Sequence, residues 1–247
     1  MFWFFGDPKI MLAIIACMIL SVYASARVRG SYAKYDKVRT RSGLTGYDAA
    51  VRLLSAGGAN DISVGRVSGR LTDHYHPTKG VVNLSESTYD SASVAAVAVA
   101  AHEIGHVMQK KSGYLFYNIR TAIVPVVNFG SRLALPLVLI GLLMNGYVSS
   151  AGQSDVGFYV AIAGVVLYGT SFLFTIITLP VELNASRRAG KMLIEQRIIT
   201  SEELPGAKKV LSAAALTYLA ATISSLVYFL RFMLYVLGMF GRRNYRR

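Results

Sequence analysis

The chain has 247 residues, of which 53% are hydrophobic and only 16% are charged. Soluble domains carry about 25% charged residues, so this composition argues against a soluble globular protein and predicts a membrane protein. The net charge is +13, but the basic residues lie mostly beside apolar runs. We therefore attribute the charge to membrane topology and to contact with the lipid bilayer, and we expect no nucleic-acid partner.

Four stretches are apolar enough to cross about 30 Å of hydrocarbon, which takes about 20 helical residues. Transmembrane helices are predicted within residues 1–26, 122–144, 156–180 and 210–240. The first contains the single cysteine, Cys17, which we expect to be a buried apolar residue because it has no partner for a disulfide or a metal pair. This stretch could instead be a cleaved signal peptide ending near Ala24-Ser25-Ala26, but Lys9 is the only basic residue before its apolar run. The last stretch contains Arg231 and is long for one crossing, so a hairpin is the alternative.

The distribution of Lys and Arg predicts how the chain is oriented. Basic residues cluster in 27–121 and 181–209, next to the predicted spans, whereas residues 145–155 contain none. Because basic segments are retained on the cytoplasmic side, we predict that both clusters lie inside and that the N-terminus and 145–155 lie outside. The basic tail, 242–247, disagrees with this topology because a fourth crossing would place it outside.

The only sizeable polar region is 27–121, which we predict to be a small α+β subdomain. Thr45 to Leu54 has the pattern of a capped helix ended by Gly57-Gly58. Short strands are expected at 62–64, 67–71 and 81–85, with a turn at 76–80. Asp90 or Ser91 is expected to cap a longer helix.

This longer helix is expected to run to about Lys111 and carries His102, Glu103 and His106 in the pattern HExxH. Four residues make about one helical turn, so the two imidazoles project from one face and can share one tetrahedral ion. A metal lowers the pKa of its bound water to about 7, and Glu103 lies where it can accept the proton. Because the flanking residues are apolar, three buried polar residues would be costly without a metal or partners. The alternative is a pair of core histidines hydrogen-bonded to backbone.

A catalytic zinc site has three protein ligands and one position for water, so a third ligand must come from elsewhere. Glu182 is the best candidate because it closely follows the third span in a mostly apolar stretch. The alternative is a solvated charge at a helix end. Other candidate donors are His74, His76, Asp73 and Asp90. His74 and His76 alternate, so in a strand they would share a face and could chelate.

Four segments of the chain resemble the YugP-like family of bacterial membrane zinc metallopeptidases. They are Leu71 to Tyr75 (LTDHY), Val82 to Ser85 (VNLS), Ala100 to Gln109 (AAHEIGHVMQ) and Leu179 to Ala189 (LPVELNASRRA). The resemblance implies a gluzincin-like site in which His102, His106 and Glu182 bind zinc and Glu103 is the general base. Together with the predicted spans, it implies a mainly α-helical protein of the bacterial inner membrane. About four transmembrane helices would accompany a small α+β gluzincin-like metalloprotease subdomain.

The chain is more loosely similar to HtpX-like and CAAX prenyl proteases, which share the order of the motifs. Those enzymes usually have an Asp four residues after the third-ligand Glu, and Ser186 stands at that position here. His76 stands where the DHYDP-like turn usually has an acidic residue. We therefore assign no role to His76 and leave open which residues orient the zinc ligands.

Two further roles are expected near the HExxH helix. The strand at 81–85, which contains Asn83, would pair with an extended substrate if it were an edge strand, as in gluzincin-like folds. The alternative is an internal strand. The tetrahedral intermediate of peptide hydrolysis needs a donor for its oxyanion, and the candidates are His74, Tyr75, Arg187 and Arg188. The two arginines are equally explained as topology charges at the end of a span.

These features predict a zinc metalloendopeptidase at the cytoplasmic face of the membrane that cleaves membrane-associated proteins or peptides. One rival is a site-two-type intramembrane protease. That class pairs HExxH with an Asp on a later span, and the third span has only Asp155 at its edge. The other rival is a non-catalytic scaffold with a structural zinc, which would need four protein ligands, for example with His74 or His76. The sequence does not predict the oligomeric state.

Overall fold

The computed structural model describes residues 7–148 and 156–244. Most of the predicted outer loop, and the last residues of the basic tail, therefore lie outside the described residues. The elements in chain order are α1 (Pro8–Tyr35), α2 (Gly46–Ala56), β1 (Ser63–Val67), β2 (His74–His76), β3 (Val81–Ser85), α3 (Glu86–Tyr89), α4 (Val94–Lys111), α5 (Leu115–Val148), α6 (Val156–Glu195) and α7 (Leu204–Asn244).

In the described part of the chain, four helices are long and apolar enough to cross a membrane, namely α1, α5, α6 and α7. They confirm the predicted mainly helical membrane protein with a small α+β part. Each helix extends beyond the predicted span, since helices do not end where the hydrocarbon does. α6 has 40 residues and is therefore about 60 Å long, about twice the hydrocarbon thickness. α7 is one continuous helix, without the turn that a hairpin would need.

The chain forms two compact units, and the first comprises residues up to Ser21, Ile119–Thr178 and the part from Leu219 onward. Small residues allow its helices to pack closely. A Cβ on Gly164 would lie 2.6 Å from the carbonyl oxygen of Ala134, so α5 and α6 approach each other backbone to backbone, as membrane helices commonly do. Cys17 is 5% exposed, which confirms the expected buried cysteine.

The second unit comprises Val22–Asn118 and Leu179–Tyr218 and contains a three-stranded sheet in the order β1-β3-β2. β3 pairs parallel with β1 and antiparallel with β2. The strands predicted at 62–64 and 67–71 are replaced by one strand, β1, because Gly65 continues the β1–β3 pairing opposite Asn83 instead of breaking it. The prediction of strand at 68–71 is wrong, since these residues form bends. β2 was not among the expected strands, whereas β3 has the predicted bounds.

Local sequence explains where the helices of this unit begin and end. Thr45 forms the predicted capping box with Asp48 at the start of α2. α4 begins later than predicted, because Ser93 is the N-cap and its hydroxyl accepts the backbone N–H of Ala96 at 3.1 Å. Asp90 instead pairs with Arg66. The core of the unit surrounds α4, whose residues are buried on nearly every face.

Candidate active site

The side chains of His102, His106 and Glu182 converge on one point in the second unit. Each offers a ligand atom, and these atoms all lie within 4.8 Å of one another. Oε2 of Glu182 is 3.1 Å from Nε2 of His102 and 3.3 Å from Nε2 of His106. α4 supplies both histidines and α6 supplies the carboxylate, which is only 2% exposed. The fold thus brings together the three residues that the sequence analysis selected as ligands.

The spacing and chemistry of this group fit a zinc ion. With zinc–ligand bonds of about 2.0–2.1 Å in a tetrahedron, neighbouring ligand atoms are about 3.3 Å apart, close to the separations around Glu182. Two imidazoles and one carboxylate are a known donor set for catalytic zinc. Among the described residues neither His74 nor His76 belongs to this group. Three protein donors are the number found in catalytic zinc sites, whereas closed structural sites have four.

The two histidines each use Nδ1 to contact a side chain outside the group. Nδ1 of His106 is 2.9 Å from Oε1 of Gln109, and Nδ1 of His102 is 3.1 Å from Oγ of Ser186. Such contacts hold the rings so that Nε2 faces the metal position. Ser186 therefore contacts a ligand from the position where similar families have Asp. Gln109 was not among the residues predicted from the sequence, although its spacing of three residues from His106 on one helix is a signal of contact.

His106 and Glu182 also influence each other's protonation. Burial of His106 opposes its charged form, but hydrogen bonding to the Glu182 carboxylate and the charge of that group outweigh burial and raise the pKa of His106. A protonated imidazole can thus occupy the place of a cation beside the carboxylate. Binding of a metal must then displace a proton from this site.

Gly105, inside the HExxH segment, sets how closely α4 and α6 approach. A Cβ at this position would lie 2.7 Å from the carbonyl oxygen of Ala185, which is shorter than any normal contact. Ala185 itself is fully buried. The absence of a side chain at Gly105 therefore lets α6 come near enough for Glu182 to reach both histidines.

Glu103 lies beside the three ligand candidates and opens onto a cavity. It is 9% exposed and, with His102, lines a cavity of about 390 Å³. The rest of the lining comes from α1, α4, α7 and the segment before β2, and includes Val28, Tyr32, Leu71, Asp73, Val210 and Tyr218. A mostly apolar cavity with a few polar groups beside an acid is the usual form of a substrate site.

The segment before β2 is held against this cavity by Asp73. Its carboxylate accepts the backbone N–H of Ser85 at 2.7 Å and the hydroxyl of Ser85 at 2.9 Å. Leu71, at the cavity wall, has φ of 57°, a left-handed conformation that costs a residue with a side chain about 1–2 kcal/mol. Asp73 thus acts as an anchor of this strained segment and lies outside the group of metal-ligand candidates.

The structure does not bring the other predicted site residues to this cavity. His74 is exposed, with Nδ1 2.9 Å from the carbonyl oxygen of Thr72 and Nε2 3.1 Å from Nδ2 of Asn83. Both polar ends of the ring are therefore used within the sheet. Tyr75 packs against the core of the unit, and burial raises the pKa of its phenol. Arg187 is exposed and lines a separate groove on α6 and α7.

The prediction that 81–85 is an edge strand is wrong. β3 lies between β1 and β2 in the sheet, so Val81 to Asn83 are paired on both sides, and beyond β2 the N–H of Ser85 is taken by Asp73. A substrate cannot add to this strand unless one neighbour leaves. Asn83 accordingly faces protein groups, with its amide next to Gly65 on one side and His74 on the other.

Comparison with known proteins identifies the family. Residues 10–237 match the family described as "putative neutral zinc metallopeptidase". The chain is also 42% identical over 224 residues to the "putative membrane protease YugP" of Bacillus subtilis (strain 168), covering 91% of this chain and 95% of that protein. No solved structure matches. Because the family match and the relative both cover most of the chain, the chain belongs to this zinc metallopeptidase family.

Proposed function

We propose that the protein is a membrane-embedded zinc endopeptidase that hydrolyses peptide bonds of membrane-associated proteins or peptides. The observation that carries this proposal is the convergence of His102, His106 and Glu182, with Glu103 beside them at the wall of a cavity. The family assignment supports the peptidase chemistry. The cavity of about 390 Å³ beside Glu103 would give a substrate chain a place to bind.

In the proposed mechanism His102, His106 and Glu182 hold zinc. When bound, the ion would act as a Lewis acid and would make water acidic enough to attack a peptide carbonyl near neutral pH. Glu103 accepts a proton from the attacking water and then donates it to the nitrogen of the departing amine, which leaves as the C–N bond breaks. Because the Glu103 side chain is largely buried, it is protected from competing bulk water.

We also propose that the site lies at the cytoplasmic face of the inner membrane. The length of α6 supports this, because one crossing uses about 20 of its 40 residues. The apolar half comes first, and Arg187, Arg188 and Lys191 follow it, as expected for a cytoplasmic end. The cavity is lined partly by α1 and α7, two of the helices apolar enough to span a membrane. A substrate held in the same bilayer would therefore start near the cavity.

The two rival functions have less support. A site-two-type protease needs an Asp on a later span as its third ligand, whereas the carboxylate in the described group is Glu182. A structural zinc needs a fourth protein ligand, and the described group has three members.

The substitution Glu103→Gln tests the mechanism. The full-length chain and the variant would be purified in detergent, analysed for zinc and incubated with a fluorogenic peptide library. We expect the variant to keep its zinc and to lose cleavage by about 100- to 10,000-fold, the usual contribution of a general base. Glu86→Gln is the matched control, because Glu86 is an exposed carboxylate in α3, away from the ligand group. Undiminished cleavage by Glu103→Gln would overturn the proposed function.

Comparing the proteins of membranes that carry the wild type or the Glu103→Gln variant would then identify substrates. Proteins that accumulate intact only with the variant, and whose cleaved ends appear only with the wild type, are the expected substrates. A set made up of proteins without any membrane attachment would contradict the proposed substrate class.

A further inference from the structure

A chain of hydrogen bonds links a guanidinium on α6 to the ligand candidate His106. Nε of Arg188 donates to Oδ1 of Asn184 at 2.8 Å. Nε2 of Gln109 donates to the same oxygen at 3.0 Å and to the carbonyl oxygen of Val181 at 2.7 Å. At the other end of this amide, Oε1 is 2.9 Å from Nδ1 of His106. Gln109 is fully buried, so no solvent competes for its partners.

Only one arrangement of hydrogens satisfies this chain. A guanidinium has donors and no acceptor, so the Asn184 atom that meets Arg188 must be the oxygen. That oxygen cannot donate, so Gln109 must direct its NH₂ group toward it. The opposite end of the Gln109 amide is then an acceptor facing His106. Nδ1 of His106 must therefore carry a hydrogen, so Nε2 is the nitrogen that can bind a metal or, in the metal-free site, hold a second proton toward Glu182.

The requirement for an amide at position 109 follows from the same contacts. The NH₂ group of Gln109 lies between two acceptor oxygens, those of Val181 and Asn184. A carboxylate there would place one of its oxygens against two others in a fully buried position, which is unfavourable unless the group is protonated. The hydrogen bonds of residue 109 and its neutral charge therefore both require an amide side chain.

Arg188 is itself held in place by α4. Its Nη2 donates to the hydroxyl of Ser112 at 3.1 Å, at the C-terminal end of that helix. Its guanidinium also lies 6.0 Å from the ring centroid of Tyr114, within range of a cation–π interaction. The donor at the start of the hydrogen-bond chain is therefore fixed, and it cannot turn away from Asn184 without losing both contacts.

His102 is held in a different way. Its partner is the hydroxyl of Ser186, which can either donate or accept. That contact orients the ring but does not decide which nitrogen carries the hydrogen. The two histidines of the site therefore differ, because only His106 faces an atom, Oε1 of Gln109, that cannot donate.

We infer that Arg188 is a positioning residue of the zinc site, which acts through Asn184 and Gln109 to fix the hydrogen of His106 on Nδ1. This inference rests on the proposed function, because it assumes that Nε2 of His106 binds zinc. Arg188 touches neither the ligand group nor the cavity beside Glu103. Its contribution is to present His106 as a ready ligand instead of a mixture of tautomers.

The test measures zinc affinity of the purified full-length chain by competition with a chelator. Arg188→Gln should weaken zinc binding by about 3- to 30-fold. This is less than the 10- to 100-fold typical of direct partners of metal ligands, because Arg188 acts through two intervening side chains. Arg188→Lys keeps a donor and should recover part of the loss. Lys191→Gln is the matched control, because Lys191 is exposed and lies one turn further on the same helix. This substitution removes the same charge. It should leave the affinity unchanged.

Two results would overturn the inference: unchanged affinity in Arg188→Gln, or an equal loss in Lys191→Gln, which would mean that only charge matters. A wild-type chain that binds no zinc at all would instead overturn the proposed function. NMR of protein labelled with ¹⁵N at its four histidines gives an independent readout. One histidine should show a protonated Nδ1 before and after zinc is added in the wild type, and Arg188→Gln should broaden or split that signal. An identical signal in the variant would also contradict the inference.

Discussion

In the unit that contains most of α5 and α6, large apolar side chains point outward: Phe129 is 66% exposed, Val166 62% and Leu139 50%. In the other unit α4 is also built mainly from apolar residues, yet Val97 and Ile104 are fully buried. The difference reflects what surrounds the helices of each unit. Lipid covers the outward residues of the first unit, whereas α4 carries four polar residues that only protein partners or a metal can satisfy, namely His102, Glu103, His106 and Gln109.

Loss of a ligand should have the largest effect on zinc affinity, and the structural consequences should be confined to the second unit. Glu182→Gln removes the carboxylate that meets both histidines. Zinc affinity should fall by roughly 100- to 1000-fold, since structural zinc sites gain about 10–16 kcal/mol from a full set of ligands. Glu195→Gln, an exposed change on the same helix, is the control for metal analysis by mass spectrometry. Equal zinc content in wild type and Glu182→Gln would exclude Glu182 as a ligand.

A new charge should distinguish lipid from water as the surroundings of the two units. Leu139 on α5 and Val51 on α2 are similarly exposed, at 50% and 44%. Leu139→Lys should destabilise the membrane-inserted protein by about 2.5–3.5 kcal/mol if the residue faces hydrocarbon, whereas Val51→Lys should change stability by about 0.5 kcal/mol or less. Unfolding measured in lipid nanodiscs compares the two directly. Equal effects would show that lipid does not surround α5 at this position.

The close approach of α4 and α6 gives a third, smaller effect. Gly105→Ala forces the new methyl group against the Ala185 carbonyl, and such overpacking costs about 1–3 kcal/mol. Zinc affinity should fall as well, because α6 carries Glu182 away from the histidines. Gly30→Ala on α1 is the control, since a Cβ there meets nothing within 4 Å. If both variants melted at the wild-type temperature and bound zinc equally, the packing argument would fail.

The sequence predicted features that depend on local pattern or on chemistry alone. The apolar spans, the capping box at Thr45 and the HExxH helix each follow from neighbouring residues. The choice of Glu182 combined its apolar surroundings with the family resemblance, and this carboxylate does meet the two histidines. These predictions required no knowledge of how elements pack.

The features that were missed depend on tertiary pairing. β3 became internal because β2 formed at His74–His76, a strand too short to show a pattern of its own. The contact of Ser186 with His102 appears only when α6 lies against α4. Gln109 contacts His106 on its own helix, but its two partners on α6 likewise appear only in the packed structure. Gly105 gave no signal either, because a glycine inside a helix is explained only by what its absent side chain would strike.

Acidification should act on the second unit alone, through zinc binding. Because the pKa of His106 is raised in the metal-free site, its imidazole is protonated to a higher pH than the ordinary value of about 6.5. Zinc must displace that proton, so its affinity should fall by up to about tenfold per pH unit for each proton released. The raised pKa also makes protonation of His106 stabilise the metal-free protein at low pH, and this stabilisation is lost as pH rises through the folded-state pKa. The melting temperatures of metal-free and zinc-loaded protein should therefore diverge as pH rises above the ordinary histidine pKa of about 6.5, and a gap that stays constant would contradict proton release from His106.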